Sequence, residues 1–336
     1  MKKLLVFALV LFSLFTAFGG GNKEESNEIT VYAYDSFAGD WGPGSTIIPA
    51  FEEKTGIKVN LVNAGDAGEM LSRVISEGEN CPADVVIGIS DDMAYRAYDS
   101  GLFASYDSPM LENISSELIF DEEKRLLPFD YGVFAFVYDT ESSVKSPSSL
   151  EDLRDPYYKD QIILIDPRTS SVGLGLLMWT YNIYGDDYLS WWKDVKENML
   201  TMADGWSTAY GLFTEGEAPL VISYTTSPAY HVREENTTRY QALVFDEGHE
   251  ETIEAIGILK SASNREAAES FVDFILSDGQ LDLAVYNSMY PANTSIQLPS
   301  EYEYAPLPEK TYKSETYYLK ENLDIMLDEW ILTMTE

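Results

Sequence analysis

The chain has 336 residues, and its 57 acidic and 22 basic side chains give a formal net charge of −35. A chain of this length usually folds as two domains, and the apolar content of 45% is enough for a sizeable core. So acidic a surface repels nucleic acid and anionic lipid headgroups, and we expect neither as a partner. The same charge attracts cations, although it is also typical of a surface that only serves solubility.

The first 21 residues have the pattern of a secretory signal peptide. Two lysines precede an almost wholly apolar run at 4–15, and small residues suited to a cleavage site follow it. That run is too short to span a membrane comfortably, so we expect export to a periplasmic or other extracytoplasmic compartment rather than a permanent anchor. Residues 22–28 are polar and predict a flexible tether. Lipid attachment needs a cysteine at the new terminus, and this place holds glycine.

Strand-like and helix-like stretches alternate through the first half of the mature chain. The strands are predicted at 29–34, 57–63 and 83–89, and the helices at 45–56, 68–78 and 91–103. This order predicts an α/β fold with mixed, mostly parallel sheets and helices on both faces. A run at 126–140, rich in aromatics and valine, is long enough to cross from one domain to another.

The second half repeats the alternation and then returns to the first domain. Strands are predicted at 161–166 and 218–225, helices at 173–184, 188–199 and 264–286, a loop with a short helix at 201–217, and a closing helix at 319–334. Extended runs at 241–248 and 252–262 lead the chain back. We therefore expect a first lobe at 29–133 and 246–295, a second lobe at 134–245, and a C-terminal helical tail at 296–336. Two lobes joined by two crossovers make a hinged clamp.

Four segments at strand ends combine aromatics, glycine and small hydroxyls, namely 29–44, 162–175, 204–213 and 220–231. Open α/β sheets bind ligands at such places. Flat rings with donor-rich loops suit a flat cation that has an anionic tail. Aromatic faces attract a cation by roughly 0.5–2 kcal/mol. Tyr34, Tyr224 and Tyr230 are candidates to sandwich its rings, with plain core packing as the alternative for each tyrosine. Trp41 lies in a turn rather than inside a strand, so it is a candidate ligand contact or lid.

Three aspartates are candidate counter-charges for a cationic ligand or hydrogen-bond acceptors for an amino group on its ring, because a buried carboxylate is costly without a partner. They are Asp35, Asp66 and Asp84. Asp66 lies in a Gly-Asp-Ala-Gly turn and is equally suited to cap the next helix. Asp84 is also suited simply to fix the strand that follows it.

An anion site is predicted where the segment Asp-Pro-Arg-Thr-Ser-Ser precedes a helix near residue 173. Ser170 and Ser171 offer hydroxyls beside free N–H groups at the start of that helix, which suits a phosphate ester. Ordinary helix capping by either serine is the alternative. Arg168 could add positive charge or pair with Asp166, and the sequence leaves both open.

An ordered series of motifs carries a family resemblance from about residue 29 to about residue 291. The series includes TVYAYDSFAGDWGPG, PADVVIGI, PFDYGVFAFVYD, DPRTSSVGLGLLMW, GWSTAYGLF, SYTTSPAYH and MYPA. It resembles the thiamine-binding periplasmic proteins, the substrate-binding components of thiamine ABC importers. The resemblance implies a two-lobed type II periplasmic-binding fold and a monomer. It further implies binding of thiamine or its mono- and diphosphate, delivery to a permease with its ATPase, and neither a cofactor nor covalent chemistry.

The resemblance also implies roles for particular residues. Tyr34 matches a ring-stacking position, Asp66 an acidic position, and Ser170 the loop that receives the phosphate. Trp206, Tyr224 and Tyr230 match aromatic and hydroxyl contacts from the second lobe.

One departure from the family is clear. The family has a tryptophan just before Met-Tyr-Pro, where this chain has Ser288. A wall of the site would then have to come from Tyr286 or Tyr290.

Two other classes of protein are weighed against this resemblance. A thiaminase-like enzyme would use Cys81 as nucleophile, but the flanking residues offer neither a base nor a positive charge. A ferric-ion receptor of the same fold would use paired tyrosines, and the adjacent pairs at 157–158 and 317–318 are not in cleft-like loops. The two histidines stand in different segments, so the sequence predicts no metal cluster. His231 follows Tyr230 and is expected behind the cleft wall rather than in it.

Overall fold

A computed structural model describes residues 27–336. The predicted signal peptide at 1–21 and residues 22–26 of the predicted tether lie outside the described residues. Glu28, the last residue of that tether, is the first residue of the first strand. None of the helices in 27–336 is long and apolar enough to cross a membrane.

The described part of the chain alternates strands and helices from end to end. The strands are β1 (Glu28–Ala33), β2 (Lys58–Asn63), β3 (Val85–Ser90), β4 (Phe103–Ala104), β5 (Leu127–Asp139), β6 (Ile162–Ile165), β7 (Met199–Ala203), β8 (Leu220–Tyr224), β9 (Tyr240–Ala242), β10 (His249–Leu259), β11 (Tyr290–Pro291) and β12 (Thr311–Tyr312). The α-helices of the described residues are α1 (Asp35–Ala38), α2 (Gly44–Thr55), α3 (Ala67–Glu77), α4 (Ala94–Ser100), α5 (Ser171–Tyr184), α6 (Tyr188–Val195), α7 (Trp206–Thr214), α8 (Ser227–Glu235), α9 (Arg265–Ile275), α10 (Gln280–Asn287) and α11 (Thr316–Thr335).

Each lobe has its own sheet. In the first lobe β1 lies between β2 and β3 and is parallel to both. On the other side of β3 lies β10, antiparallel to it, and next comes β5, antiparallel to β10. In the second lobe β6 lies between β7 and β8 and is parallel to both, while β8 is antiparallel to β5. The strand β3 is buried along its whole length, which explains its almost unbroken apolar sequence. These mixed, largely parallel sheets confirm the predicted fold class.

The strand β5 belongs to both sheets. Its residues up to Val133 pair with β10, and from Phe134 onward they pair with β8. The chain returns from β9, which pairs with the far end of β5, directly into β10. Two extended connections therefore join the lobes. The lobe boundaries given above stay a prediction.

Two elements differ from the sequence-based expectations. The edge strand β7 forms where the end of the helix predicted at 188–199 meets the loop predicted from 201, because its backbone completes a parallel ladder with β6. The predicted helix at 264–286 is two helices, α9 and α10. The buried Gln280 side chain explains the break, since its amide donates to the carbonyl oxygen of Ile275 at the end of α9 and to that of Phe129 on β5, both at 2.9 Å.

The C-terminal helix α11 packs against both lobes. It lies on α4 of the first lobe and on α6 of the second. Lys320 pairs with Asp99 at 2.6 Å on the first side, and Trp330 meets Trp192 edge to face at 5.6 Å on the second. The predicted tail is thus part of the packed body.

Candidate ligand-binding site

A cavity of about 260 Å³ lies between the two lobes. The first lobe contributes the residues that follow β1 and the start of α3, and the second contributes the first turns of α5, α7 and α8. Aromatic rings dominate its lining: Tyr34, Trp41, Trp206, Tyr210, Tyr224, Tyr230 and Tyr286. Its charged lining residues among 27–336 are all acidic, namely Asp66, Glu235 and Glu254. The cavity therefore suits a flat ligand that carries positive charge or hydrogen-bond donors.

Two glycines on the sheet make room for two of these rings. A Cβ built on Gly88 of β3 would lie 1.9 Å from Cδ1 of Tyr34, and the positive φ of 103° at Gly88 also favours glycine. A Cβ on Gly132 of β5 would lie 2.9 Å from Cδ1 of Tyr224. Glycine inside an apolar strand is the sequence signal for such close approach. The sheet thus sets the depth at which both tyrosines lie.

Trp206 is held rigidly at the start of α7. Its ring stacks on Tyr210 with centroids 4.8 Å apart, and its Nε1–H donates to the Ser223 hydroxyl at 2.7 Å. Behind it, the Tyr210 hydroxyl is 2.9 Å from Nε2 of His231. His231 is buried behind the wall, and its Nδ1 is 2.9 Å from a carboxylate oxygen of Glu235. This arrangement fixes the ring plane before any ligand arrives, which lowers the entropic cost of binding.

Trp41 extends from the first lobe toward the second. Its ring centroid is 6.0 Å from that of Trp206, and 47% of Trp41 is exposed. A large exposed ring in a turn is poorly explained by core packing. The two tryptophans, one from each lobe, meet at the mouth of the cavity.

Asp66 connects the lobes through hydrogen bonds. One carboxylate oxygen accepts from the backbone N–H of Ala67 at 2.7 Å, and the other accepts from that of Trp206 at 3.0 Å. Burial raises the pKa of Asp66 to about 7; the Trp206 N–H opposes this shift and the Asp35 carboxylate adds to it. Asp66 is thus the N-terminal cap of α3, and it also lines the cavity beside the start of α7.

The predicted anion loop lies at the start of α5. Ser171 and Val172 line the cavity, whereas the Ser170 hydroxyl is used as a cap and accepts from the Val172 N–H at 3.2 Å. Arg168 pairs with Asp166, with its Nε 2.9 Å from a carboxylate oxygen. The sequence left two roles open for Arg168, and in the structure it forms the ion pair with Asp166.

Four predicted contact residues do not line the cavity: Ser170, described above, and Asp35, Asp84 and Tyr290. Asp84 precedes β3, at the end of the sheet opposite the cleft, where its carboxylate accepts from the backbone N–H groups of Thr30 and Ser263. Asp35 begins α1 and accepts from the Ser36 N–H at 2.7 Å. Tyr290 stacks on Tyr131 and its hydroxyl donates to a backbone carbonyl at 3.1 Å, so the buried ring is used for packing. The structure brings together Tyr34, Trp41, Asp66, Ser171, Trp206, Tyr224 and Tyr230.

Of the two tyrosines expected to supply a wall, Tyr286 lines the cavity, together with its neighbours at the end of α10 and just after it. Tyr286, Asn287, Ser288 and Met289 all line the cavity. Ser288 has a φ of 52°, which is unusual for a residue other than glycine, and its hydroxyl is enclosed without a hydrogen-bond partner. Ser288 leaves open the space that a tryptophan would fill.

Sequence reasoning missed the acidic residue at the cavity floor. Glu254 lies on β10 and accepts from the Tyr34 hydroxyl at 2.9 Å. The available signal was a lone glutamate within the apolar run TIEAIGIL, and similarly a lone aspartate, Asp130, within PFDYGVF. A charged residue at a strand position that faces the interior needs a partner, so it indicates a site.

A family model described as "Bacterial extracellular solute-binding protein" matches residues 80–312, which is more than half of the chain. The chain belongs to this family.

Individual members of this solute-binding family are similar to the chain over most of its length. The "Thiamine-binding periplasmic protein" of Brucella abortus biovar 1 (strain 9-941) is 38% identical, covering 97% of this chain and 98% of its own. The protein of that name from Escherichia coli (strain K12) is also 38% identical, over 90% of this chain and 92% of its own. A solved structure titled "Periplasmic thiamin binding protein" has a TM-score of 0.88 at 37% identity, covering 92% of this chain and 96% of that one. The predicted two-lobed periplasmic-binding fold is confirmed.

The residues that an enzyme or a ferric-ion receptor would use lie away from the cleft of this solute-binding protein. Cys81 is buried, and burial raises the pKa of its thiol to about 11, which disfavours the thiolate that a nucleophile needs. The tyrosine pairs at 157–158 and 317–318 are not among the cavity residues. Across 27–336 no group of three or more histidine, cysteine, aspartate or glutamate side chains is placed to hold a metal ion.

Proposed function

We propose that this solute-binding protein captures thiamine in the cleft between its lobes and delivers it to an ABC importer in the membrane. The observation that carries the proposal is the cavity itself, with aromatic rings on several sides, three carboxylates and, within the part of the chain that the structure describes, no basic lining residue. The thiazolium ring of thiamine is flat and permanently cationic, so stacking and charge favour it together. The similarity to thiamine-binding relatives over nearly the whole chain supports the same ligand.

The anionic tail of a thiamine phosphate would point toward the second lobe. The helices α5, α7 and α8 begin at the cavity with Ser171, Trp206 and Ser227. Backbone N–H groups and hydroxyls at helix starts favour anions. Asp66 lies at the start of α7 and would compete with a phosphate there, so binding of thiamine itself and of its phosphates needs separate measurement.

The proposed mechanism is closure without covalent chemistry. The lobes close around the vitamin in an extracytoplasmic compartment, and the closed monomer docks on the permease, whose ATPase drives release and transport. No cofactor has a part in these steps. The strongly acidic surface would steer a cationic ligand toward the protein.

Calorimetric titration of the purified protein with thiamine and its two phosphates tests the proposal. We expect a saturable heat with one ligand per chain. Tyr224→Leu keeps apolar packing against Phe134 but removes the aromatic face, so affinity should fall by about 3- to 30-fold, the equivalent of roughly 0.5–2 kcal/mol. The matched substitution Tyr317→Leu, at a ring that is 71% exposed on α11, should leave affinity unchanged.

Absence of thiamine binding would refute the proposal. Turnover of thiamine with an added nucleophile, lost in Cys81→Ala, would favour an enzyme instead. A visible tyrosinate absorption band on adding ferric salt would favour an iron receptor.

A further inference from the structure

Two acidic side chains lie side by side beneath the floor of the cavity. Asp130 of β5 and Glu254 of β10 stand directly opposite each other in the antiparallel pairing of these strands. Glu254 lines the cavity, while Asp130 lies behind it and is completely buried. The two residues are far apart in sequence, and only the return of the chain into the first lobe brings them together.

The neighbours of this acidic pair are hydrogen-bond donors without positive charge. The Tyr34 hydroxyl donates to Oε2 of Glu254 at 2.9 Å, and the Asn287 amide donates to Oδ2 of Asp130 at 2.7 Å. Oδ1 of Asp130 is buried and has no partner. The groups that shift the pKa values of the pair are each other, Tyr34 and Asn287, and none of them is cationic.

Two adjacent carboxylates without a cation cannot both be ionised in such a buried place. Burial and the charge of Glu254 raise the pKa of Asp130 well above its usual range. Asp130 is therefore the acid of the pair, and a proton on its unpaired oxygen can be donated to Glu254. Burial raises the pKa of Glu254 too, but hydrogen bonds from Tyr34, from the acid form of Asp130 and from Asn287 oppose that shift, so Glu254 is the carboxylate of the pair.

An ionised carboxylate offers about four lone-pair sites. Tyr34 at 2.9 Å, Asn287 at 3.5 Å and the acid form of Asp130 use at most three of these, and because Glu254 lines the cavity its remaining capacity is open to a ligand. This is an acceptor held in place by its neighbours. A ligand atom that meets it must be a hydrogen-bond donor, and an oxygen acceptor there would face lone pairs.

We propose that Glu254 selects the ligand by accepting a hydrogen bond from an amino group on its aromatic ring. The inference rests on the proposed function, and it assigns the exocyclic amine of the aminopyrimidine to Glu254. The thiazolium ring has no N–H donor, so a directed acceptor of this kind would serve it poorly. Asp130, Tyr34 and Asn287 are positioning residues that hold Glu254 ionised and oriented. Specificity then comes from one carboxylate, while the aromatic walls bind any flat cation of similar size.

The test compares thiamine with oxythiamine, in which an oxo group replaces the amine while the thiazolium cation is kept. In calorimetric titrations the unchanged protein should bind thiamine at least roughly 30-fold more tightly than oxythiamine, because the analogue places a carbonyl oxygen, which is an acceptor, where the amine would donate to Glu254. Similar affinities for both ligands would overturn the proposal without any variant being made.

Glu254→Gln supplies the second arm, since the amide has the shape of the acid and can donate to an oxo group. We expect thiamine affinity to fall by about tenfold or more and the preference over oxythiamine to shrink to about threefold or less. An equal loss of affinity for both ligands would mean that Glu254 only balances the positive charge. Unchanged affinities would mean that Glu254 does not contact the ligand. Either result overturns the inference and leaves the proposed function standing. Failure of the unchanged protein to bind thiamine would refute the proposed function itself.

A matched control lies on the same strand. Glu250→Gln makes the same substitution at another buried position of β10 that is outside the cavity. It should keep both the affinity for thiamine and the preference over oxythiamine. If Glu250→Gln lost as much affinity for thiamine as Glu254→Gln, the loss would come from a disturbed strand rather than from the missing acceptor, and the inference would be overturned.

Discussion

Burying an ionised acidic side chain costs free energy, and this protein has such side chains outside its cleft as well. Asp91, Asp92 and Glu250 are all buried between the lobes' inner strands and the helices beside them. Burial raises the pKa of each to about 7, and their mutual repulsion adds to the shift. The Glu250 carboxylate accepts from the Asn182 amide at 2.7 Å and from the Ser314 hydroxyl at 2.6 Å, which offsets part of this cost.

Glu250→Gln should therefore stabilise the protein at alkaline pH. The pKa of about 7 in the folded protein is above the value of about 4.3 for an exposed glutamate, so the folded state binds more protons and stability falls as pH rises through this window. The amide has no charge to bury. Relative to the unchanged protein, its free energy of unfolding should rise by about 2 kcal/mol between pH 5 and pH 8, as measured by urea denaturation. The exposed Glu315→Gln should show no such trend, and a gain independent of pH would contradict the explanation.

At the scale of elements, local sequence predicted most of the fold and the parts of the site that lie next to strand or helix ends. Tyr34 follows β1 and Trp206 begins α7, so the apolar and turn patterns of the flanking residues indicate where the two side chains lie. The pair Asp130 and Glu254 could not be predicted as a unit, because it depends on the register between β5 and β10. Tyr290 could not be separated from Tyr286 by sequence either, since α10 ends between them and only one of the two rings then faces the cavity.

The packing of the closing helix α11 could not be predicted either, because its amphipathic sequence predicts a helix but not the elements against which that helix packs. Trp330 is 2% exposed and packs against Trp192, so Trp330→Ala removes a large buried ring. We expect a loss of about 3–5 kcal/mol in the free energy of unfolding, measured by urea denaturation. Tyr317→Ala on the exposed face of the same helix should change it by no more than about 0.5 kcal/mol. Equal, small effects would mean that α11 is not part of the cooperative unit.

At the scale of the whole molecule, function depends on how closely the two lobes approach each other. Asp66 of the first lobe accepts from the Trp206 N–H of the second, and Trp41 and Trp206 meet beside them. Gly68 on α3 is next to this contact. A Cβ built there would lie 2.6 Å from the carbonyl oxygen of Thr169 and 2.9 Å from its carbonyl carbon. Both atoms are backbone, so they cannot move aside as a flexible side chain would.

Gly68→Ala should accordingly keep the lobes apart. Closure encloses the ligand, so we expect thiamine affinity to fall by about tenfold, the equivalent of roughly 1.4 kcal/mol. The free energy of unfolding should change little or rise by up to about 1 kcal/mol, because alanine favours a helix over glycine. Small-angle X-ray scattering with saturating thiamine measures closure directly, and the variant should retain a larger radius of gyration than the unchanged protein. Ser76→Ala, on the exposed side of the same helix, serves as the control. A Gly68→Ala protein that binds thiamine normally and compacts to the same radius would show that the contact between α3 and the Thr169 loop has no part in closure.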